Sequence, residues 1–410
     1  MSKLKQILTN KKGYIIVFLL IFVSDDTVLF GTNNDSLFIY LKYAVVSFLL
    51  VYFYKKSKKE AAYCKRPNGI LLSLILLVVL SGVINFDFTL GYPYKIILML
   101  LAYFYCSTTP YQNFGSTFVD CMTFIAAYSL ISYVIYTFTP SLVSWAPIIT
   151  NSSELEFRNL ILCVVPDVRF AGRLFGPFRE PGVYQELLNI AIIFHVQTSS
   201  KVSIARIVLF VISIILTQST TGYIVIALSI AYLYVNNTNK SNVSYFFIAI
   251  LLICGVLYLA NNTTMLDSDG SVFGKLQDQD RESTIARMAS VTCNLKIIGM
   301  NPFWGVGLSN LSELFPMLCM QEYHIYNVSN TNMLLIQFAS HGILFGILWI
   351  TGVLNFTLFS SRETRISKLL WIAIILLLCV GENLAWDALF FIILMYGYFM
   401  KLNKNKANCL

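Results

Sequence analysis

Residues 168–193 read VRFAGRLFGPFREPGVYQELLNIAII, and the reading of this stretch decides the rest of the chain. Arg169, Arg173 and Arg179 fall close together, with Glu180, Pro181 and Gly182 directly behind them. Gly172 and Gly176 interrupt the local chain, and after Pro181 the pattern turns apolar for about one membrane thickness. Proline is tolerated in the first turn of a helix, where its missing N–H has no intrahelical partner. The stretch is therefore a basic, glycine-broken loop feeding the start of a transmembrane helix. A helix N-terminus favours anions through its free N–H groups and its dipole. Guanidinium groups beside it make a site suited to phosphate or pyrophosphate. The plainer alternative is that these arginines reach lipid phosphates or pair with Glu180.

The surrounding composition agrees with a membrane setting. Of 410 residues, 57% are hydrophobic and 12% charged, with mean hydropathy +0.69. A soluble protein carries about twice that share of charge. Apolar runs long enough to span a bilayer recur from end to end. The expected fold class is an all-α polytopic integral membrane protein with about 12 transmembrane helices and two long extracytoplasmic loops. The first apolar run has no small-residue cleavage site behind it and is followed by more spans, so no cleavable signal is expected. The net charge of +8 lies mostly at span ends and does not argue for nucleic acid. Nine cysteines show no metal-ligand spacing, and no metal is expected.

The spans are expected near 14–30, 37–54, 70–86, 94–106, 116–138, 181–196, 204–217, 222–235, 245–260, 331–358, 369–380 and 385–400. This gives an N-terminal five-span region (1–138), a first outer loop (139–180), four central spans (181–260), a second outer loop (261–330) and a C-terminal three-span region with its tail (331–410). With the N-terminus in the cytoplasm, about two-thirds of all Lys and Arg fall on the cytoplasmic side, as the positive-inside rule requires. The exceptions gather in the two outer loops: Arg158, Arg169, Arg173, Arg179, Arg281 and Arg287, with Lys275 and Lys296. Charge on the side where it is normally avoided asks for a functional cause. The spans themselves carry little charge beyond Asp25, Asp26, Lys42, Asp120 and Glu186.

In the second loop, 283–298 has apolar residues at helical spacing and reads as an amphipathic helix. It lies either at the membrane interface or at an active site. Asn301-Pro302 with Gly305 and Gly307 then forms a turn-rich stop. Cys293 and Cys319 share this loop and are candidates for a pair.

Four segments in order carry a resemblance: RLFGPFREPG (173–182), LTQSTTGYIVIAL (216–228), the segment from Arg281 through NPFWGVGLSN (301–310), and NTNMLLIQFASHGILFGILW (330–349). Together they resemble the O-antigen polymerase/O-antigen ligase superfamily, multi-spanning enzymes that join lipid-linked glycans at the outer face of the bacterial cytoplasmic (inner) membrane. The resemblance implies an enzyme without cofactor or obligatory metal. Its donor glycan hangs on undecaprenyl pyrophosphate, an acceptor hydroxyl attacks the anomeric carbon, and lipid pyrophosphate leaves. It implies membrane lipids, a chain-length regulator and a flippase as partners. Arginines of the outer loops would bind pyrophosphate and sugars: Arg169, Arg173, Arg179, Arg281 and Arg287, with Arg173 and Gly176 matching an R-x-x-G pattern. Ligases carry a His-Asn pair at the start of the tenth span, where this chain has Asn330, Thr331 and Asn332. That departure favours a polymerase over a ligase and leaves Glu180 and His324 as candidate bases. His195 and His341, inside apolar spans, read as packing residues. Trp304 and Tyr323 are candidates for stacking on sugars or for interfacial anchoring. A flippase would be expected to bury charge within spans and to show internal repeats, and neither is evident.

Overall fold

The computed structural model describes residues 2–32, 36–59, 65–151, 155–166, 172–236, 282–325, 329–360 and 364–404. Arg169, Arg281 and the expected ninth span at 245–260 lie outside the described residues. Thirteen helices are found among the described residues: α1 (Ser2–Phe22), α2 (Ser36–Lys59), α3 (Asn68–Ile84), α4 (Gly91–Thr108), α5 (Tyr111–Phe138), α6 (Pro181–Thr198), α7 (Ile204–Leu216), α8 (Thr220–Asn236), α9 (Glu282–Met300), α10 (Leu308–Tyr323), α11 (Met333–Ser360), α12 (Arg365–Gly381) and α13 (Ala388–Leu402). Each of the other eleven expected spans coincides with one of them. Stretches at 37–59, 111–138 and 333–360 are long and apolar enough to cross a bilayer; five further helices are apolar but shorter. The protein is a mostly helical membrane protein.

The segment 139–180, expected as the first outer loop, is not plain coil. It contains a small antiparallel sheet in the order β1 (Ile148–Thr150), β2 (Glu156–Asn159), β3 (Val164–Pro166). Ile149 pairs with Phe157, which pairs in turn with Pro166. Phe157 and Val164 bury against Val28 and Phe175, so the sheet has an apolar core of its own. The first span also ends earlier than its hydropathy suggests. Helix α1 stops at Phe22, where the Thr27 hydroxyl donates to the Phe22 carbonyl oxygen at 3.0 Å. Asp25 and Asp26 therefore sit beyond the helix, Asp25 paired with Lys42.

The chain divides into two compact units. Unit 1 comprises Met1–Ala44, Gln112–Gln277 and Ser361–Ile374; unit 2 comprises Val45–Tyr111, Asp278–Ser360 and Ile375–Leu410. Helix α6 is the axis of unit 1. It is buried at every position from Pro181 to Val196, as expected of a helix apolar on nearly all sides, and α7 and α8 pack on it. In unit 2 the corresponding element is α13, buried from Ala388 to Met400 and packed on α4 and α11. A Cβ on Gly397 would overlap the Gly352 carbonyl oxygen, so α13 and α11 touch backbone to backbone. Small residues permit such close approach between helices in a membrane.

Helix α11 is not continuous. Gly342 has φ 81° and ψ 175°, which breaks the helix into two segments. The turn-rich segment 301–307 fills the break: Val306 N–H donates to the Ala339 carbonyl (2.9 Å), Gly307 N–H to Ser340 (3.1 Å) and Ile343 N–H to Pro302 (2.8 Å).

Candidate functional site

The arginine stretch of unit 1 docks on two partners. On one side Thr27 forms a β-bridge with Phe178, and Val28 N–H donates to the Pro177 carbonyl. On the other, Leu174 N–H donates to the Leu216 carbonyl at 2.9 Å, and the Gln218 amide donates to the Gly172 carbonyl at 3.1 Å. The polar hinge between α7 and α8 thus holds the loop that leads into α6. Gly176 adopts φ +60° with its Cα face against the Tyr184 ring, where a Cβ would stand 3.0 Å from the ring carbons. The R-x-x-G spacing has a backbone reason: a side chain at 176 would be strained and crowded.

Arg173 and Arg179 are placed differently. Arg173 is partly buried, and its Nε donates to the Thr217 carbonyl at 3.0 Å. Arg179 is tied to two carboxylates: Nε to Asp26 Oδ1 at 3.1 Å and Nη1 to Glu180 Oε1 at 2.6 Å. Its backbone N–H also donates to the Asp26 carbonyl. Burial pushes the Asp26 carboxyl up to about 6, against the pull of the Arg179 guanidinium. Arg179 is a structural tie between the end of α1 and the start of α6. Breaking such a pair by removing one partner costs about 3–5 kcal/mol. Glu180 sits at the N-cap position of α6 but its side chain caps no N–H; it faces Arg179 instead and is partly exposed.

In unit 2, the expected amphipathic helix is α9. Arg287 lies in its second turn, partly buried, with no hydrogen bond or ion pair among the described residues. Helix α9 packs on α10 and α11. Asn294 and Asn330 exchange side-chain hydrogen bonds at 2.9 and 3.0 Å, Ser290 receives the Thr331 N–H at 3.1 Å, and the Asn332 carboxamide oxygen accepts from Leu335 N–H at the start of α11. Asn330 and Thr331 thus hold the segment before α11 to α9, while Asn332 caps the start of α11. His324 is exposed and closes α10 in a left-handed conformation, φ 53°. Tyr323 shares a hydrogen bond with Thr292 at 2.6 Å. Cys293 and Cys319 are brought together: both buried, both reduced, sulfurs 3.6 Å apart.

The NPFWGVGLSN turn is gripped from the α3–α4 junction. Asp87 accepts from Ser309 N–H (2.7 Å) and Ser309 Oγ (2.8 Å), Tyr92 OH donates to Asp87 at 3.1 Å, and the Asn85 amide donates to the Gly305 carbonyl at 3.1 Å. Burial disfavours the Asp87 carboxylate, but these donors prevail and hold its pKa below the ordinary value. Sequence reasoning gave Asp87 no role, because Ser309, the partner that ties it to the turn, lies 222 residues away.

Two span residues are corrected. The inventory of span charge omitted Lys95, which lies one turn into α4 and is 1% exposed. His341 is no mere packing residue, because its ring nitrogen Nε2 lies 2.8 Å from Lys95 Nζ. A lysine inside an apolar stretch was the available signal. His195, in contrast, is satisfied locally by Ser199 and the Ser203 N–H.

Residues 205–360 match the O-antigen ligase family, so this part of the chain is similar to the O-antigen polymerase/ligase superfamily. The stretch 173–182 lies N-terminal to the matched segment, and the turn 301–310 and the broken helix α11 lie within it. No curated protein and no solved structure matches the chain.

Proposed function

With that superfamily as the premise, we propose that the protein is a polysaccharide polymerase of the bacterial cytoplasmic membrane. It transfers a growing glycan from undecaprenyl pyrophosphate to a hydroxyl of a lipid-linked repeat unit, on the extracytoplasmic side. No metal takes part. The observation that carries the reading is the contrast among the arginines. Arg179 is neutralised by Asp26 and Glu180, whereas Arg287 meets no carboxylate among the described residues and Arg173 is held by a backbone carbonyl. A guanidinium held in place, as Arg173 is, stabilises the charge that develops on a departing diphosphate without reorganising as it leaves, and Arg287 has no carboxylate among the described residues to compete with a phosphate. Arg173 in unit 1 and Arg287 in unit 2 are each assigned to phosphate binding in this reading, and Arg179 supports the loop. Glu180 and His324 remain the two candidate bases. Glu180 stands beside the arginine loop, and His324 has an exposed ring.

Ligase activity is the second reading, and the engaged Asn330–Asn332 segment is what disfavours it. The deciding experiment is complementation of a deletion strain, with surface glycan resolved by length. Loss of a polymerase leaves single repeat units attached; loss of a ligase leaves long chains unattached. Arg173→Ala and Arg287→Ala should each abolish chain growth with normal protein in the membrane. Lys at either position should also be poor, because the two-pronged guanidinium geometry is lost. Normal polymer length in both alanine variants would overturn the reading.

A further inference from the structure

Lys95 is the feature of unit 2 that nothing above uses. Its Nζ lies 2.7 Å from Gln337 Oε1 and 2.8 Å from His341 Nε2, both on the first segment of α11 and both fully buried. The rings of Phe345 and Trp386 face the same nitrogen at 5.1 and 5.4 Å. No carboxylate among the described residues pairs with it. As an ammonium, Lys95 donates to both neighbours, which leaves the imidazole proton on Nδ1. His341 Nδ1 and Gln337 Nε2 are then buried donors, and neither has a partner. The cluster thus holds two unpartnered donors, an imidazole N–H and an amide NH2, beside a cation that meets no carboxylate among the described residues. Buried donors are ordinarily satisfied, and a buried cation is ordinarily matched by an anion. The component that would complete this cluster is an oxyanion.

Two further observations say that the oxyanion arrives with a ligand. Helix α11 breaks at Gly342, directly after His341. The turn 301–307 takes up the backbone groups freed at the break, so the donors left there are the side chains of His341 and Gln337, and ionisable groups inside spans mark binding sites or pathways. Of the four side chains around Nζ, Trp386 alone is partly exposed; it precedes α13 and stacks on Tyr94 at 6.3 Å.

We propose that Lys95, His341 and Gln337 form a second diphosphate-binding subsite, entered past Trp386, for the lipid-linked substrate that the loop arginines do not serve. The inference rests on the polymerase reading, in which both reactants hang on a diphosphate and two such groups must be held. An acceptor without a diphosphate would need only one.

The test is direct binding to the full chain in lipid nanodiscs, with radiolabelled farnesyl diphosphate and, separately, inorganic pyrophosphate. The wild type should take up two equivalents of farnesyl diphosphate. Lys95→Met and Gln337→Glu should each lose one equivalent, with affinity at that site falling at least about tenfold, the change expected when a charge-assisted contact is lost. Gln337→Glu places a carboxylate beside the amine at almost unchanged volume, so it should fill the subsite internally and melt no lower than wild type. Arg173→Ala should lose the other equivalent. Inorganic pyrophosphate binding as tightly as the lipid analogue would assign the subsite to a free diphosphate, and weaker binding to a lipid-borne one; either keeps it. Two equivalents retained in both Lys95→Met and Gln337→Glu overturn it. If Arg173→Ala meanwhile loses one, the polymerase reading survives; if it too retains two, that reading falls with it.

Discussion

Replacing Gly342 by alanine should unlock the turn 301–307 from α11. At φ 81° and ψ 175°, a residue with a side chain is held in a region open essentially only to glycine, which costs about 1–3 kcal/mol. The added Cβ would overlap the Phe303 carbonyl and stand 2.7 Å from Trp304 N. All of these atoms are backbone, so no rotamer change relieves the clash and the turn itself must move. Movement breaks the bonds from Val306 to Ala339, Gly307 to Ser340 and Ile343 to Pro302, each worth about 1 kcal/mol net. The total is on the order of 5 kcal/mol, or a fall in Tm of roughly 6 °C for a chain of this size. Gly299 is the control, because it lies near the end of α9 with nothing within 4 Å of an added Cβ. Gly299→Ala should be neutral or stabilise by up to about 1 kcal/mol. Both variants would be melted in detergent by intrinsic fluorescence and assayed for surface-glycan length. If Gly342→Ala melts within about 2 °C of Gly299→Ala and makes normal polymer, the break does not position the turn and the reasoning is wrong.

Other expectations follow from the same contacts. The folded protein holds the Asp26 proton more tightly than the unfolded chain, whose value is 3.8, so stability should be greatest below about pH 4 and fall as pH rises through about 6. The loss is up to about 3 kcal/mol. Melting curves between pH 4 and 7 should show this slope in wild type and not in Asp26→Asn. Asp87→Ala should lower Tm, because three donors lose their acceptor at once; charge-assisted bonds of this kind are worth about 1.5–3 kcal/mol each. An unchanged melt would show that the α3–α4 junction does not grip the turn. Mild oxidation should join Cys293 to Cys319, since a shift of about 1.5 Å brings their sulfurs to bonding distance. Mass-tagging of thiols after denaturation should show two fewer tags than before oxidation, and Cys293→Ser should abolish the difference.

What the sequence disclosed and what it hid divide along one physical line. Apolar run length, Pro181 and the spacing 285–298 are local signals, and they located the described helices other than α10, whose segment reads as loop in the sequence, together with the start of α6 and most of α9. The features that shape the candidate sites depend on partners far along the chain. Gly342 reads as one tolerated glycine in an apolar helix until the turn 301–307 docks against it. Arg179 reads as one more free arginine until Asp26, 153 residues earlier, neutralises it. The sheet escaped notice because its strands are three or four residues long and its apolar core is completed by Val28 and Phe175 from elsewhere in the chain. Lys95 was overlooked for a related reason: a lysine near the end of a span usually snorkels to water, and only the position of Gln337 and His341 shows that this one does not. Arg179 is tied to Asp26 and Glu180, Arg173 donates to the Thr217 carbonyl and Arg287 meets no carboxylate among the described residues, and the alanine tests at 173 and 287 follow from that difference.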